Sequence, residues 1–318
     1  MARQKAQSTH SNNLMSALKF VGISGADFCS ISQNIVTAFT EHVCIGHPIE
    51  EDLNAQAHIK KLYQSLLKSG EKTTITQLEL SKLHVNSGVL QVYIACSEKI
   101  NQILPDAPFI EIDRRFTDSI ETLLPLVSVY GDTISTKTIL CNDKSMFATN
   151  RYILTEYWHG IYLPFLNMSK KFCDIVLKSK KEVNHLGYSE NSITVYFKDK
   201  SWIMGRVSKD NWINPYAILD KRRCSYEPIS DDFKMALKAV PGFSDSGLAY
   251  CASGCLQSHP SAKDGASYPV PGLPEGGVFG VKELNYLNKN ADMLDMSDKE
   301  FIMFTGKNIR GAIVSRKV

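Results

Sequence analysis

Ile59-Lys60-Lys61-Leu62-Tyr63-Gln64-Ser65-Leu66-Leu67-Lys68-Ser69 has a counterpart one hundred and ten residues later, Ser169-Lys170-Lys171-Phe172-Cys173-Asp174-Ile175-Val176-Leu177-Lys178-Ser179. The Lys-Lys pair, the closing Leu-Lys-Ser and the apolar spacing coincide. Apolar residues three and four apart predict an amphipathic helix in both places. A weaker third copy begins at Val281 (Val281-Lys282-Glu283-Leu284-Asn285-Tyr286-Leu287). Two amphipathic helices can resemble each other by chance, so the segments around each copy decide whether the repeat is real.

Upstream of the first copy, Leu14, Leu18 and Val21 predict a helix that the polar Ser11-Asn12-Asn13 can cap. Strand-like segments follow at Phe28 to Ile31, Ile35 to Phe39 and Val43 to Ile45. The helix of the repeat then places Ala55, Ile59, Leu62 and Leu66 on one face. Alternating stretches from Thr74 to Leu83 and Val89 to Cys96 complete a first unit. The order then recurs. Phe116, Ile120, Leu123 and Val127 form a helix stripe, and Thr138 to Cys141, Ser145 to Ala148 and Ile153 to Tyr157 read as strands. A helix from Met168 to Leu177 precedes a hairpin of Ile193 to Phe197 and Trp202 to Val207, turning at Lys198-Asp199-Lys200. The third pass has Phe233, Leu237 and Val240 as its helix stripe and Leu248 to Cys251 as a strand. A Pro/Gly-rich loop from His259 to Gly277 leads to the Val281 helix. Strands Phe301 to Phe304 and Gly311 to Ser315 flank the turn Gly306-Lys307-Asn308. A period of roughly 105–115 residues indicates tandem domains, since solenoid repeats run at ~20–50. The expected division is a disordered tail over 1–13 and domains over 14–107, 108–224 and 225–318. The fold class is α+β, each domain carrying two helices backed by antiparallel sheet.

With 318 residues, 43% hydrophobic and 22% charged, the chain has the balance of a globular protein with several cores. No apolar run reaches the ~18 residues of a membrane span. The first residues lack the apolar core of a secretory signal. The eight cysteines form no extracellular framework and read as reduced thiols in a cytoplasm.

A net charge of +3 says little by itself; its placement says more. Lys60, Lys61 and Lys68 lie opposite the apolar stripe of their helix, and Lys170, Lys171 and Lys178 do the same in the second copy. Lys19, Arg114, Arg115, Lys234, Lys238 and Lys282 occupy the remaining helices. Exposed helix faces carry lysine for solubility, and for any one helix that is the ordinary explanation. One sign recurring on six helices, diluted by Asp118, Glu121, Asp174 and Glu283, also suits a polyanion held by its phosphates without base reading.

With these residues in place, the sequence resembles the bacterial sliding clamp family, the beta subunit of DNA polymerase III, with its phage-encoded relatives. Met146-Phe147-Ala148-Thr149-Asn150-Arg151-Tyr152-Ile153-Leu154 is similar to the family's Val-Ala-Thr-Asp-Gly-His-Arg-Leu strand and turn. The stretch from Trp202 to Tyr216 resembles the family hairpin running into Gly-Arg-Phe-Pro-Asp-Tyr, and Asn308 to Arg316 is similar to the last strand of phage clamps. The chain departs from the bacterial pattern in being shorter, basic overall and without a Met-Pro-Met-Arg-Leu-like ending. The resemblance implies a head-to-tail homodimeric ring around double-stranded DNA that tethers a DNA polymerase and is opened by a clamp loader. It also implies a pocket for short partner peptides, at positions matching Thr149, Asn150, Arg151, Tyr152 and Leu154 with Arg316 and Val318 nearby. Tyr152 and Leu154 read equally well as strand core.

Catalytic signatures are missing from the sequence. Cys251, Cys255 and His259 are four apart but fall on a strand, where that spacing spans ~13 Å. Gly70-Glu71-Lys72-Thr73 lacks the upstream glycine of a phosphate loop, and neither His-Glu-x-x-His nor Gly-x-Ser-x-Gly occurs. Neither a metal nor a cofactor is expected. Three readings stand: a sliding clamp, a clamp-fold scaffold for transcription or recombination that forms no closed ring, and an enzyme whose site lies in the Pro/Gly-rich third unit.

Overall fold

The structure, a computed structural model, describes residues 7–8, 11–69, 73–78, 81–97, 102–105, 109–208, 210–221, 223–261 and 264–317. Among these lie helices α1 (Ser11–Val21), α2 (Ile59–Ser69), α3 (Arg114–Leu123), α4 (Ile134–Lys137), α5 (Lys170–Ser179), α6 (Tyr216–Leu219), α7 (Asp231–Ala239) and α8 (Val281–Asn290). None is long and apolar enough to cross a membrane. The chain forms two compact units: Met1–Thr117 with Lys171–Ser208, and Asp118–Lys170 with Lys209–Val318.

In the first unit an antiparallel sheet runs, in spatial order, through Ala55–His58, Phe28–Ser32, Ile35–Phe39, Val43–Pro48, Trp202–Ser208, Ser192–Phe197, Val183–Tyr188 and Phe109–Glu111. A smaller sheet joins Gln7–Ser8, Thr74–Leu78, Lys82–Asn86 and Gln91–Ala95. Helices α1 and α2 pack on each other and bury Leu14, Leu18, Leu62 and Leu66. The predicted turn after Phe197 is held by charge: Lys181 Nζ donates to Asp199 at 2.5 Å and to Ser201 Oγ at 2.8 Å. Burial opposes ionisation of Asp199, but the bonds from Lys181 and Ser201 outweigh it and hold the carboxyl below its usual range. Where Trp202 lies opposite Gly46, a β-carbon on the glycine would come within 2.2 Å of the indole, so the close approach requires glycine there.

The second unit repeats the plan. Its larger sheet is ordered Glu227–Pro228, Met293–Asp298, Phe301–Thr305, Ile309–Val314, Ile153–Ser169, Thr138–Thr149. Its smaller sheet is ordered Ser267–Pro269, Cys255–Gln257, Leu248–Ala252, Val278–Gly280. Helix α7 packs on α8. Ser230 caps α7 by accepting from the Phe233 N–H at 3.2 Å, and Asp231 and Asp232 sit in its positive first turn.

Several sequence expectations need correcting. Ala55 is on a strand that pairs with Ile31, and α2 starts only at Ile59; a lone apolar residue four before a helix has the same spacing as a further helix position. Thr74 to Leu83 is two strands of a hairpin rather than one. Val127 lies beyond a 3-10 turn at Leu124–Leu126 that ends the α3 stripe. The three short strands expected between Thr138 and Tyr157 are two long ones, and the helix expected from Met168 starts at Lys170. Cys251 and Cys255 face each other's neighbours across a tight turn at Ser253-Gly254, both left-handed, instead of lying on one strand. Helix α1 takes in Ser11 to Asn13, and Gln7–Ser8 pair with Thr74 and Ile75.

Candidate functional site: an apolar pocket and basic helix faces

The hairpin of Thr138–Thr149 and Ile153–Ser169 turns through Asn150, Arg151 and Tyr152. Asn150 makes the turn: its Oδ1 accepts from the backbone N–H of Tyr152 at 2.9 Å and of Ile153 at 3.0 Å. Arg151 takes a left-handed φ of 82°. A non-glycine residue is strained there, offset by its N–H bond to Thr149 Oγ1 at 3.1 Å and its ion pair with Asp132.

Asn150 Nδ2 also donates at 2.6 Å to Glu283 Oε1, and Arg316 Nη2 donates at 3.1 Å to Glu283 Oε2. The Arg316 guanidinium lies 3.9 Å from the centre of the Tyr152 ring. Glu283, only 2% exposed, therefore fastens the start of α8, the hairpin turn and the end of the last strand together. The cost of burying this side chain is offset because both of its oxygens accept, one from an amide and one from a guanidinium. It is not part of the exposed helix face on which the sequence had placed it as a diluting charge.

Beside this turn is a cavity of about 200 Å³. Leu154, Ala312 and Val314 line it from the paired strands, where Leu154 faces Ala312. Ile213 and Ile218 close another side, and Thr133, Thr136, Thr149 and Arg151 ring it. Ile213 is held in place by its N–H bond at 3.1 Å to Ser135 Oγ of α4. Leu154 and Ala312 belong at once to the pocket and to the core beneath it, which contains Leu140, Phe147, Trp212, Leu219 and Met303. An apolar floor with a threonine and arginine rim can seat an aliphatic or aromatic side chain while its backbone finds polar partners.

Of the residues singled out in the sequence, Thr149, Arg151 and Leu154 line this cavity, while Asn150, Tyr152 and Arg316 build the turn next to it. Leu154 is core as well, and Tyr152 is 40% exposed under Arg316. Val318 lies outside the described residues. The sequence reading missed Thr133, Thr136, Ile213, Ile218, Ala312 and Val314. One signal could have found Ile213: Asn211-x-Ile213-x-Pro215 repeats Asn101-x-Ile103-x-Pro105 at the same spacing of one hundred and ten as the helices.

The cations sort into two groups. Lys19, Lys60, Lys61, Lys68, Arg114, Arg115, Lys171, Lys178, Lys234, Lys238 and Lys282 are exposed or partly so. Lys19 and Lys60 border one concavity between α1 and α2. Arg115 is clamped to Asp113 at 2.7 and 3.0 Å, and Lys234 lies 3.5 Å from Asp231. Lys170 differs from the expectation that it faces outward: half-buried, its Nζ donates to the carbonyls of Val127 at 2.6 Å and Leu124 at 3.3 Å. Lysine there caps the carbonyls left open where α3 ends in its 3-10 turn. Among the described residues no three His, Cys, Asp or Glu side chains converge as metal ligands. Burial pushes the Cys251 thiol up to about 12, leaving it neutral.

The architecture is the DNA sliding-clamp fold. The chain is similar to the DNA polymerase III subunit beta of Pseudomonas aeruginosa, with a TM-score of 0.78, 12% identity, and coverage of 98% of this chain and 100% of that one. It is similar to the DNA polymerase sliding clamp of Caulobacter crescentus (TM-score 0.77, 13% identity, 98% and 100% covered). The same holds for the Helicobacter pylori beta clamp bound to a DNA ligase peptide (TM-score 0.77, 11% identity, 98% and 100% covered). The chain matches no protein-family profile and no curated protein sequence. Likeness at such identities is one of fold.

Proposed function

We propose that the chain is a DNA sliding clamp: a homodimeric, head-to-tail ring that encloses duplex DNA and tethers a replicative polymerase without doing chemistry itself. The observation that carries this reading is the apolar pocket beside the Asn150–Tyr152 turn, in a chain whose fold matches sliding clamps from end to end. One of those clamps is described with a DNA ligase peptide bound. A polymerase and a clamp loader would engage the pocket through short segments, in a bacterial cytoplasm that a phage-encoded clamp would share. The three-domain division at 14–107, 108–224 and 225–318 belongs to this proposal. It is supported by the recurrence of paired helices, α1 with α2 and α7 with α8.

The test is solution mass followed by DNA retention. Light scattering across a dilution series should give twice the chain mass of 35.5 kDa. Loaded protein should stay on closed circular DNA and run off once the circle is cut. A persistent monomer that binds cut and closed DNA equally would replace the ring with the scaffold reading.

The exposed lysines give a second expected result. Replacing Lys60, Lys61, Lys171 and Lys178 with alanine should weaken DNA binding and lower the slope of log affinity against log salt by up to about one unit for each phosphate that is no longer neutralised. Lys170→Ala should behave differently: the slope is kept, while folding stability falls by about 1–3 kcal/mol, since two carbonyls lose a charged donor. Equal slopes for the quadruple variant and the wild type would remove those lysines from the DNA.

A further inference from the structure

The repeat that organises the helices also duplicates the pocket. In the second unit the pocket forms where Thr149 pairs with Leu154 across the turn and Leu154 pairs onward with Ala312. In the first unit Phe39 pairs with Cys44 across a turn of equal length, and Cys44 pairs onward with Met204. The turns close alike: Thr40 N–H donates to Val43 O at 2.8 Å, and Asn150 N–H to Ile153 O at 3.2 Å. Each pocket is completed by the isoleucine of an Asn-x-Ile-x-Pro segment, Ile103 in one and Ile213 in the other. Both isoleucines are tethered to their unit, Ile103 by its carbonyl accepting from Cys44 Sγ at 3.7 Å and Ile213 by its N–H on Ser135.

The first-unit cavity is larger, about 370 Å³. Phe39 and Ile103, which line it, leave 41% and 48% of their surface in water, so an apolar side chain seated there would cover them. Burial pushes the Cys44 thiol up to about 12, so the floor stays uncharged. The rims differ in charge. Where the second pocket has Arg151, the first has Glu41, and where the second has Val314, the first has Arg206.

From this geometry we infer that the cavity of Phe39, Val43, Cys44, Ile103 and Met204 is a second peptide-docking pocket. Its occupant is a short segment with a bulky aliphatic side chain set between a cation, which meets Glu41, and an anion, which meets Arg206. The inference rests on the clamp reading of the Ile213 pocket, from which it borrows the mode of binding, and gives each chain two pockets of different charge preference.

The experiment titrates the full chain, with labelled isoleucine and methionine methyl groups, with the peptides Gly-Lys-Leu-Leu-Asp-Gly and Gly-Asp-Leu-Leu-Asp-Gly. The first should shift the methyls of Ile103 and Met204 saturably, and bind there about threefold or more tightly than the second, the span that exposed ion pairs provide. Ile213 and Ile218 should show no preference for the first peptide, because at the position of Glu41 their rim carries Arg151, itself paired with Asp132. Ile103→Asp, a change at a half-exposed position, should abolish the Met204 shift and leave those of Ile213 and Ile218. Methyls of Ile103 and Met204 that stay fixed while Ile213 moves would overturn the second pocket and leave the clamp reading standing. A Met204 shift that survives Ile103→Asp would also overturn it. If neither pocket responds to either peptide, both readings fall.

Discussion

Phe147→Ala is expected to destabilise the second unit by about 3–5 kcal/mol, the usual cost of emptying a fully buried aromatic site. Phe147 is 0% exposed, meets Tyr216 edge-to-face with centroids 5.4 Å apart, and lies 6.4 Å from the Trp212 ring. The surrounding strands resist collapse into the hole, because the pairing of Thr138–Thr149, Ile153–Ser169 and Ile309–Val314 fixes them. Urea unfolding followed by tryptophan fluorescence gives the measurement: Trp212 packs against Phe147 directly, and its signal should change at lower urea than in the wild type. A loss below about 1 kcal/mol would mean that the cavity had refilled. Because Leu154 and Ala312 are shared between this core and the pocket, the same substitution should also weaken peptide docking without touching any pocket residue.

The parts of this molecule that sequence revealed are those where burial is one-sided and periodic. Helices α2 and α5 carry Leu62 and Leu66, Phe172 and Val176 inward with most of their lysines outward, and their repeat is plain in the order of the residues alone. The Ser192–Phe197 and Trp202–Ser208 hairpin was visible for the same reason, with a polar turn between two β-rich runs. The seventeen-residue strand Ile153–Ser169 was only half legible. The sequence showed it only to Tyr157; beyond lie Gly160, at a φ of 76°, and Pro164, and the strand passes through both where its register against Cys141, Asp143 and Ser145 is irregular. Bulges tolerate the missing donor and the positive φ that a regular ladder would not. The pocket was legible where it lies on one continuous stretch, Thr149 to Leu154. Thr133, Ile213, Ile218 and Val314 come to it from three distant segments, and no local period announces that meeting. Lys170 illustrates a further limit: periodicity shows which face a lysine is on but not that the carbonyls of Leu124 and Val127 lie within its reach.

Ile213→Asp should separate partner docking from every other property of the chain. Ile213 is 44% exposed, so replacing it removes little buried surface, and folding stability should change by less than about 0.5 kcal/mol. In the open pocket the new carboxylate stays hydrated. Once a partner side chain fills the space against Leu154 and Val314, that water must leave, and the rim's cation, Arg151, is already paired with Asp132. Desolvating an unpaired carboxylate is costly enough to lower affinity for the proposed polymerase partner by about 10–100-fold or more. Retention on circular DNA, and its salt dependence, should stay as in the wild type, because the lysines of α2 and α5 are untouched. Measured together, the two readouts decide what the pocket is for. Loss of polymerase stimulation with normal DNA retention would assign the pocket to tethering alone. Loss of both would mean that Ile213 supports the proposed ring itself, whereas full stimulation by the variant would show that partners dock elsewhere.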